Sequence, residues 1–264
     1  MKNSEKAALL FLAVLFAAAW GYGYSDYEDV FDATYPLAAG GAVSLENING
    51  DVTIEVWDSP EVRIQAVKSA SSRDLLDRLK IDVDADDTSV RIDTIYPSNR
   101  RSAEDRHEHS ESENRRHMKV EYTLTVPRSA MVDDVDLVNG NLKIVGVEGG
   151  VDAETVNGNI VVKDGAGDQS LSTVNGSIEL YVVNHDPSAS IDMESVNGEL
   201  DLYLSRSAGA DIRAETVNGR ISNEFGLEVV KGKYVGANLK GSVGGGGSRV
   251  DLETVNGPIS VHNW

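Results

Sequence analysis

AETVNGNI at residues 153–160 returns as AETVNGRI at 214–221 and as LETVNGPI at 252–259. Asn-Gly preceded by Val or Ile stands at seven places: Asn49-Gly50, Asn139-Gly140, Asn157-Gly158, Asn175-Gly176, Asn197-Gly198, Asn218-Gly219 and Asn256-Gly257. The steps between successive asparagines are 90, 18, 18, 22, 21 and 38 residues. A period near 20 is the mark of a repeat architecture. The last step spans about two ordinary ones, which points to a degenerate copy between Asn238 and Gly247.

Parity around each Asn gives the local structure. Four residues before it stand Leu45, Val135, Ala153, Leu171, Met193, Ala214 and Leu252. Three residues after it stand Val52, Leu142, Ile160, Ile178, Leu200, Ile221 and Ile259. The positions between are mostly polar, as at Asp152, Glu154, Asp192 and Glu194. Period-two alternation on both sides of each Asn-Gly reads as two short strands with one buried face.

Both Asn and Gly tolerate positive φ, which a sharp corner or tight reversal demands. Asn at one place in every repeat can also stack into a side-chain hydrogen-bond ladder. Two all-β geometries fit. One is a single-stranded β-solenoid with coils of about 18–22 residues, in which Asn-Gly turns a corner. The other is a set of stacked antiparallel β-hairpins with Asn-Gly as a type I′ turn. The hairpin would strand Val156, Val174 and Val217 outside, whereas a solenoid corner lets them tuck inward, so the solenoid is the expectation. Within ETVNG, Glu then points outward, Thr inward, Val lies at the bend, and Asn-Gly forms the corner.

The flanking segments are read more coarsely. Residues 51–70 form two strands joined by the turn Asp58-Ser59-Pro60. Arg73 to Leu79 is a short helix, and residues 119–127 are a strand entering the repeats. Residues 98–118 are so charged that they cannot bury a core, and read as a disordered insert. The insert holds His107, His109 and His117, whose imidazoles suit zinc or nickel but lack a rigid frame. Gly244 to Gly247 is a tight backbone path between coils.

Residues 1–23 carry a short basic start, an apolar run from Ala7 to Trp20 and small residues at Ala17, Ala19, Gly21 and Gly23. That is a secretory signal pattern, too short in its apolar run for a membrane span after cleavage. The mature chain then divides into 24–130, an N-terminal part carrying the insert, and 131–264, the TVNG repeats. The 264 residues contain no cysteine, which excludes thiol chemistry, thiolate metal sites and a lipid-bearing Cys. The net charge of −19 repels nucleic acid and anionic membranes.

Catalytic signatures are missing. DVDADD at residues 82–87 lacks the glycine and distal glutamate of a calcium loop. No G-x-S-x-G, phosphate-cradling loop or H-E-x-x-H occurs. Glu46, Glu154, Glu194, Glu215 and Glu253 recur at one repeat position, and catalysis rarely uses a residue present in every coil. No cofactor is expected.

VSLENINGDVTIEVWDSPEVRIQAVK at 43–68, VEYTLTVPRSA at 120–130, the serial TVNG copies and LKGSVGGGGSRVDLETVNGPISV at 239–261 together resemble the DUF4097 "putative adhesin" family. The resemblance covers residues 38–264 and implies a β-solenoid, a bacterial origin and an exported location: periplasm, cell surface or secretion. It supplies no catalytic residues. The leading expectation is a non-enzymatic cell-envelope scaffold or adhesin whose partner is a glycan or a protein. The alternatives are a carbohydrate-active β-helix enzyme, resting on fold analogy, and an envelope stress or signalling accessory. An enzyme would need a non-repeated cluster of Asp, Glu, Arg or Lys on one face.

Overall fold

The computed structural model describes residues 27–97, 118–183, 188–232 and 235–264. Residues 1–23, His107, His109, His117 and all of the 98–118 insert except Met118 lie outside them. The chain runs β1 (Tyr27–Pro36), β2 (Ala42–Asn49), β3 (Val52–Trp57), β4 (Glu61–Ala70), α1 (Arg73–Arg78), β5 (Lys80–Ala85), β6 (Ser89–Ile95) and β7 (Met118–Pro127). Next come β8 (Met131–Asn139), β9 (Leu142–Val145), β10 (Val151–Asn157), β11 (Ile160–Gly165), β12 (Gln169–Asn175), β13 (Ile178–Val182), β14 (Ile191–Asn197) and β15 (Leu200–Leu204). The chain ends with β16 (Ala210–Asn218), β17 (Ile221–Asn223), β18 (Val229–Lys231), β19 (Ala237–Val243), β20 (Ser248–Asn256) and β21 (Ile259–Asn263). No helix among the described residues is long and apolar enough to cross a membrane.

The protein is all-β, built from two large mixed sheets that do not close. One has the order β1-β4-β7-β3-β9-β11-β13-β15-β21-β17, the other β18-β19-β16-β20-β14-β12-β10-β8-β2-β6-β5. Every Asn-Gly lies where the chain leaves the second sheet for the first. Inward side chains such as Val151, Ala153, Ile160 and Val162 are fully buried and join one continuous core between the sheets.

This topology overturns the stacked-hairpin alternative. Strands joined by an Asn-Gly sit in different sheets and do not pair with each other. Each instead pairs in parallel with its counterpart in a neighbouring repeat, as β10 does with β12 and β11 with β13. The degenerate copy expected at 238–247 is also corrected. Those residues form β19, antiparallel to β16, followed by a glycine path with positive φ at Gly244 through Gly247. The last repeat goes elsewhere, because β20 and β21 insert between β14 and β16 and between β15 and β17. The corner asparagines therefore stack in the order 49, 139, 157, 175, 197, 256, 218.

Three letters of TVNG hold this stack. Each Asn amide donates to the side-chain oxygen of the next Asn: Asn139 to Asn49 at 2.9 Å, Asn157 to Asn139 at 3.0 Å and Asn175 to Asn157 at 2.9 Å. Asn197 to Asn175, Asn256 to Asn197 and Asn218 to Asn256 continue it at 2.9, 2.8 and 2.9 Å. The buried Thr or Ser two residues earlier donates to the glycine carbonyl of the neighbouring repeat, for example Thr173 to Gly158 at 3.1 Å and Thr216 to Gly257 at 2.9 Å. Glycine is required for closeness, and this corrects the φ argument. Only Gly50 of the seven corner glycines has positive φ. At the other six, a Cβ would come within 1.7–2.1 Å of the carbonyl oxygen of an adjacent corner glycine.

The fourth letter behaves differently. Val138, Val156, Val196, Val217 and Val255 are 36–45% exposed, so the expectation that valine tucks inward at the bend fails. Thr and Asn flank it in an unbroken strand, and pleat parity turns it to solvent with Glu154 and its equivalents.

Antiparallel strands cap the stack in part. β18 and β19 close one end of the eleven-stranded sheet, where the ten-stranded sheet ends in the short parallel strand β17; β1, β4, β5 and α1 lie at the other end. Ser72 caps α1 by accepting the Leu75 N–H at 3.3 Å, and Leu76 anchors it in the core. The Asn ladder starts beside Tyr96, whose hydroxyl accepts the Asn49 N–H at 3.0 Å and lies 3.0 Å from Asn47 Oδ1.

Gly176→Ala is expected to cost about 3 kcal/mol or more in urea denaturation, since its Cβ meets a backbone oxygen that cannot retreat. Gly226→Ala, at φ +73° with open space around it, should cost only about 1 kcal/mol. Burial pushes the Tyr96 phenol up to about 12, against roughly 10 in an unfolded chain. The folded state therefore keeps a proton the unfolded state has lost. This contribution is complete below about pH 10 and declines as pH rises towards about 12. Tyr96→Phe should flatten that alkaline limb while lowering stability at neutral pH through the lost Asn49 contact.

Candidate functional site

The parallel stack gives each sheet an outer face on which every repeat position becomes a column. Strands in a stack lie about 4.8 Å apart, so like residues touch along a column. Columns that hold chemistry are the candidate sites.

On the ten-stranded sheet the sixth position after Asn forms one. It reads Lys163, Tyr181, Tyr203 and His262 on β11, β13, β15 and β21. Tyr181 stacks on Tyr203 with centroids 4.1 Å apart, and Tyr203 on His262 at 4.4 Å. Lys163 Nζ sits 5.4 Å from the Tyr181 centroid, a cation over a π face. Trp264, 56% exposed, meets Tyr181 edge-on at 5.8 Å, its backbone N–H bonded to the Leu204 carbonyl at 3.2 Å.

Carboxylates border the aromatic column. The Tyr181 hydroxyl bonds Glu179, which raises the pKa of that phenol above its ordinary value. His262 Nε2 lies 3.2 Å from Asp201, and its Nδ1 lies 3.8 Å from Glu224. The Asn263 N–H donates to Glu224 at 2.9 Å and holds its carboxyl below the usual range. The result is an apolar, aromatic surface rimmed by fixed acceptors, the composition of a carbohydrate or peptide contact.

The eleven-stranded sheet shows a different face. The position before Asn gives a row from Ile48 through Val138, Val156, Val174, Val196 and Val255 to Val217. Two residues further back run carboxylates, Glu46–Asp136–Glu154 and, beyond Ser172, Glu194–Glu253–Glu215, directly opposite one another across strands. The Asp136 carboxyl is pushed up, first by burial and then by Asp134, Glu154, Glu46 and Asp152 around it.

Near the capping end the acidic face gives way to a non-repeated charged cleft of about 390 Å³, which includes Asp211, Arg213, Lys240, Arg249 and Asp251. Its carboxylates are engaged. Arg249 holds Asp251 and, at 3.4 Å, Asp192, while Arg213 reaches Asp251 at 3.7 Å and Ser242 donates to Asp211. Among the described residues no group of three or more His, Cys, Asp or Glu is placed to hold a metal.

The seven Asn-Gly pairs come together in a single column, whereas the aromatic column was not identified from sequence. Counting to the sixth residue after Asn finds Tyr181, Tyr203 and His262. Tyr181 and Tyr203 are neighbours in linear order, but His262 joins them only because the last repeat follows the 197 copy in space.

No protein-family model matches the chain, and no curated protein sequence matches it. Among solved structures it is similar to a "putative cell adhesion protein" from Clostridium sporogenes, with 16% identity and a TM-score of 0.49 over 91% of this chain and 100% of that one. A "putative adhesin" from Bacteroides fragilis is similar at 13% identity and a TM-score of 0.40, over 89% and 97%. A "putative lipid binding protein" from Parabacteroides distasonis is similar at 11% identity and a TM-score of 0.32, again over 89% and 97%.

Proposed function

We propose that the chain is an exported, non-enzymatic β-solenoid of the cell envelope, an adhesin of the DUF4097 type that makes contacts through its flat outer faces. The observation that carries this reading is the column of seven corners. Its asparagines lock the repeats in register, so outward residues recur at strand spacing and form extended contact faces. Alternation of successive strands between two sheets, each parallel to its equivalent one repeat away, supports the solenoid assignment.

In this reading residues 1–23 direct export, 24–130 form the capped N-terminal part and 131–264 the repeat block. The protein acts at the cell surface, in the periplasm or after secretion. Its aromatic column takes a glycan. Sugar rings present apolar C–H faces that pack on aromatic rings, and their hydroxyls donate to carboxylates such as Glu179 and Asp201. Tyr181, Tyr203 and His262 spend much of their faces on one another, which leaves the exposed Trp264 ring as the principal stacking surface. The charged cleft favours the enzyme alternative on composition, but carboxylates tied to arginine and serine are poorly suited to general acid chemistry.

A glycan array and a cell-binding assay test this with purified protein. The wild type should retain particular glycans, and Trp264→Ala or Tyr181→Ala should weaken the best of them by about tenfold with unchanged thermal unfolding. Binding to neither glycans nor cells would remove the adhesive reading.

A further inference from the structure

Thr, Asn and Gly of TVNG are each accounted for by contacts between repeats, but Val is not. At this position six copies carry Val, and the seventh carries Ile48, which is half-buried against the core, whereas the buried position four before Asn varies among Leu, Val, Ala and Met. The row is therefore more uniform where packing constrains it less. Strand propensity alone does not select valine, since threonine has the same shape and suits strands without exposing a second methyl. The row lays a line of outward apolar side chains along the outer face of the sheet.

The dimensions and the charge limit what covers it. Six strand spacings make the row about 29 Å long and one side chain wide, on the order of 200 Å². A stable dimer interface needs about 800 Å² per partner, so the neighbouring carboxylate columns must be included in any lasting contact. Those columns place like charges directly opposite, an unfavourable arrangement that positive charge relieves. Arg91 meets Glu46 at the far end of the column, and the arginines of the other end serve Asp192 and Asp251. A second copy of this chain would bring more negative charge to the face.

We propose that this face docks a basic amphipathic helix of another protein, its apolar stripe along the valine row and its Lys or Arg flank over the glutamate column. The helical pitch of about 5.4 Å lies close to the strand spacing of about 4.8 Å, so each turn meets roughly one repeat. About 19 helical residues span the row. The contact is separate from the aromatic column, which lies on the other sheet.

The probe is a fluorescent leucine–lysine amphipathic helix of that length, titrated onto the folded mature protein by anisotropy. A scrambled peptide of equal composition is the control. The designed helix should bind and gain helical circular dichroism, and added salt should weaken it. Val156→Thr, Val196→Thr and Val255→Thr together should weaken it about tenfold or more, with the thermal midpoint retained. Glu154→Gln, Glu194→Gln and Glu253→Gln together should remove most of the salt dependence. Equal binding by the scrambled peptide, or by the folded threonine variant, would overturn the proposal. So would self-association through the row, seen in sedimentation of the wild type and abolished by the threonine substitutions. Trp264→Ala should leave helix binding intact, which keeps this outcome distinct from the glycan test.

Discussion

Six times along the stack, a corner glycine lies so close to the carbonyl oxygen of an adjacent corner glycine that a Cβ would meet it at 1.7–2.1 Å. The rest of the architecture depends on this contact. It brings the corners close enough for each Asn amide to reach the next Asn oxygen, and for each buried Thr or Ser to satisfy a glycine carbonyl. A side chain at that glycine would separate the corners and strand several buried polar groups together, each costly to leave unpaired. A small residue at one position thus sets the register of both sheets.

Register in turn gives the surface its character. With every repeat aligned, an outward residue type becomes a line: valines beside carboxylates on one sheet, aromatic rings on the other. Parallel stacks also carry a hazard, because their open ends invite further strands. Antiparallel β18 and β19 interrupt the parallel pattern at one end of the eleven-stranded sheet, and β1, β4 and β5 do so at the opposite end of the stack, while the parallel edge left on the ten-stranded sheet is β17, only 3 residues long.

Much of this was legible in the sequence, for reasons specific to particular residues. Alternation around Asn157 or Asn175 has only one parity that buries Ala153 and Ile160, or Leu171 and Ile178, so strand positions and buried faces followed directly. Thr155 inward and Glu154 outward are the same inference, and the asparagine ladder follows from equal placement. Three things were hidden. Glycine's role depends on the distance to another chain segment, which propensity does not encode. The outward valine is hidden because a corner at Asn-Gly suggests a bend at Val156, whereas the strand runs straight through to Asn157. The insertion of β20 beside β14 is a matter of threading, since β16 and β20 share the ETVN ending and the same alternation, and either could follow the 197 repeat on local grounds. The place of His262 beside Tyr203 depends on that threading and is hidden with it.

Threading and the outward valine can be tested together, because the chain has no cysteine of its own. Val196→Cys with Val255→Cys places two thiols on adjacent strands, about 4.8 Å apart at Cα and inside the range a disulfide accepts. Val196→Cys with Val217→Cys places them two strands apart, about 9.6 Å and beyond it. Mild oxidation of the folded protein, followed by thiol counting and peptide mapping, should show an intrachain bridge in the first pair and free thiols in the second. A bridge in the second pair and none in the first would contradict the stacking order on which this account of the repeat rests.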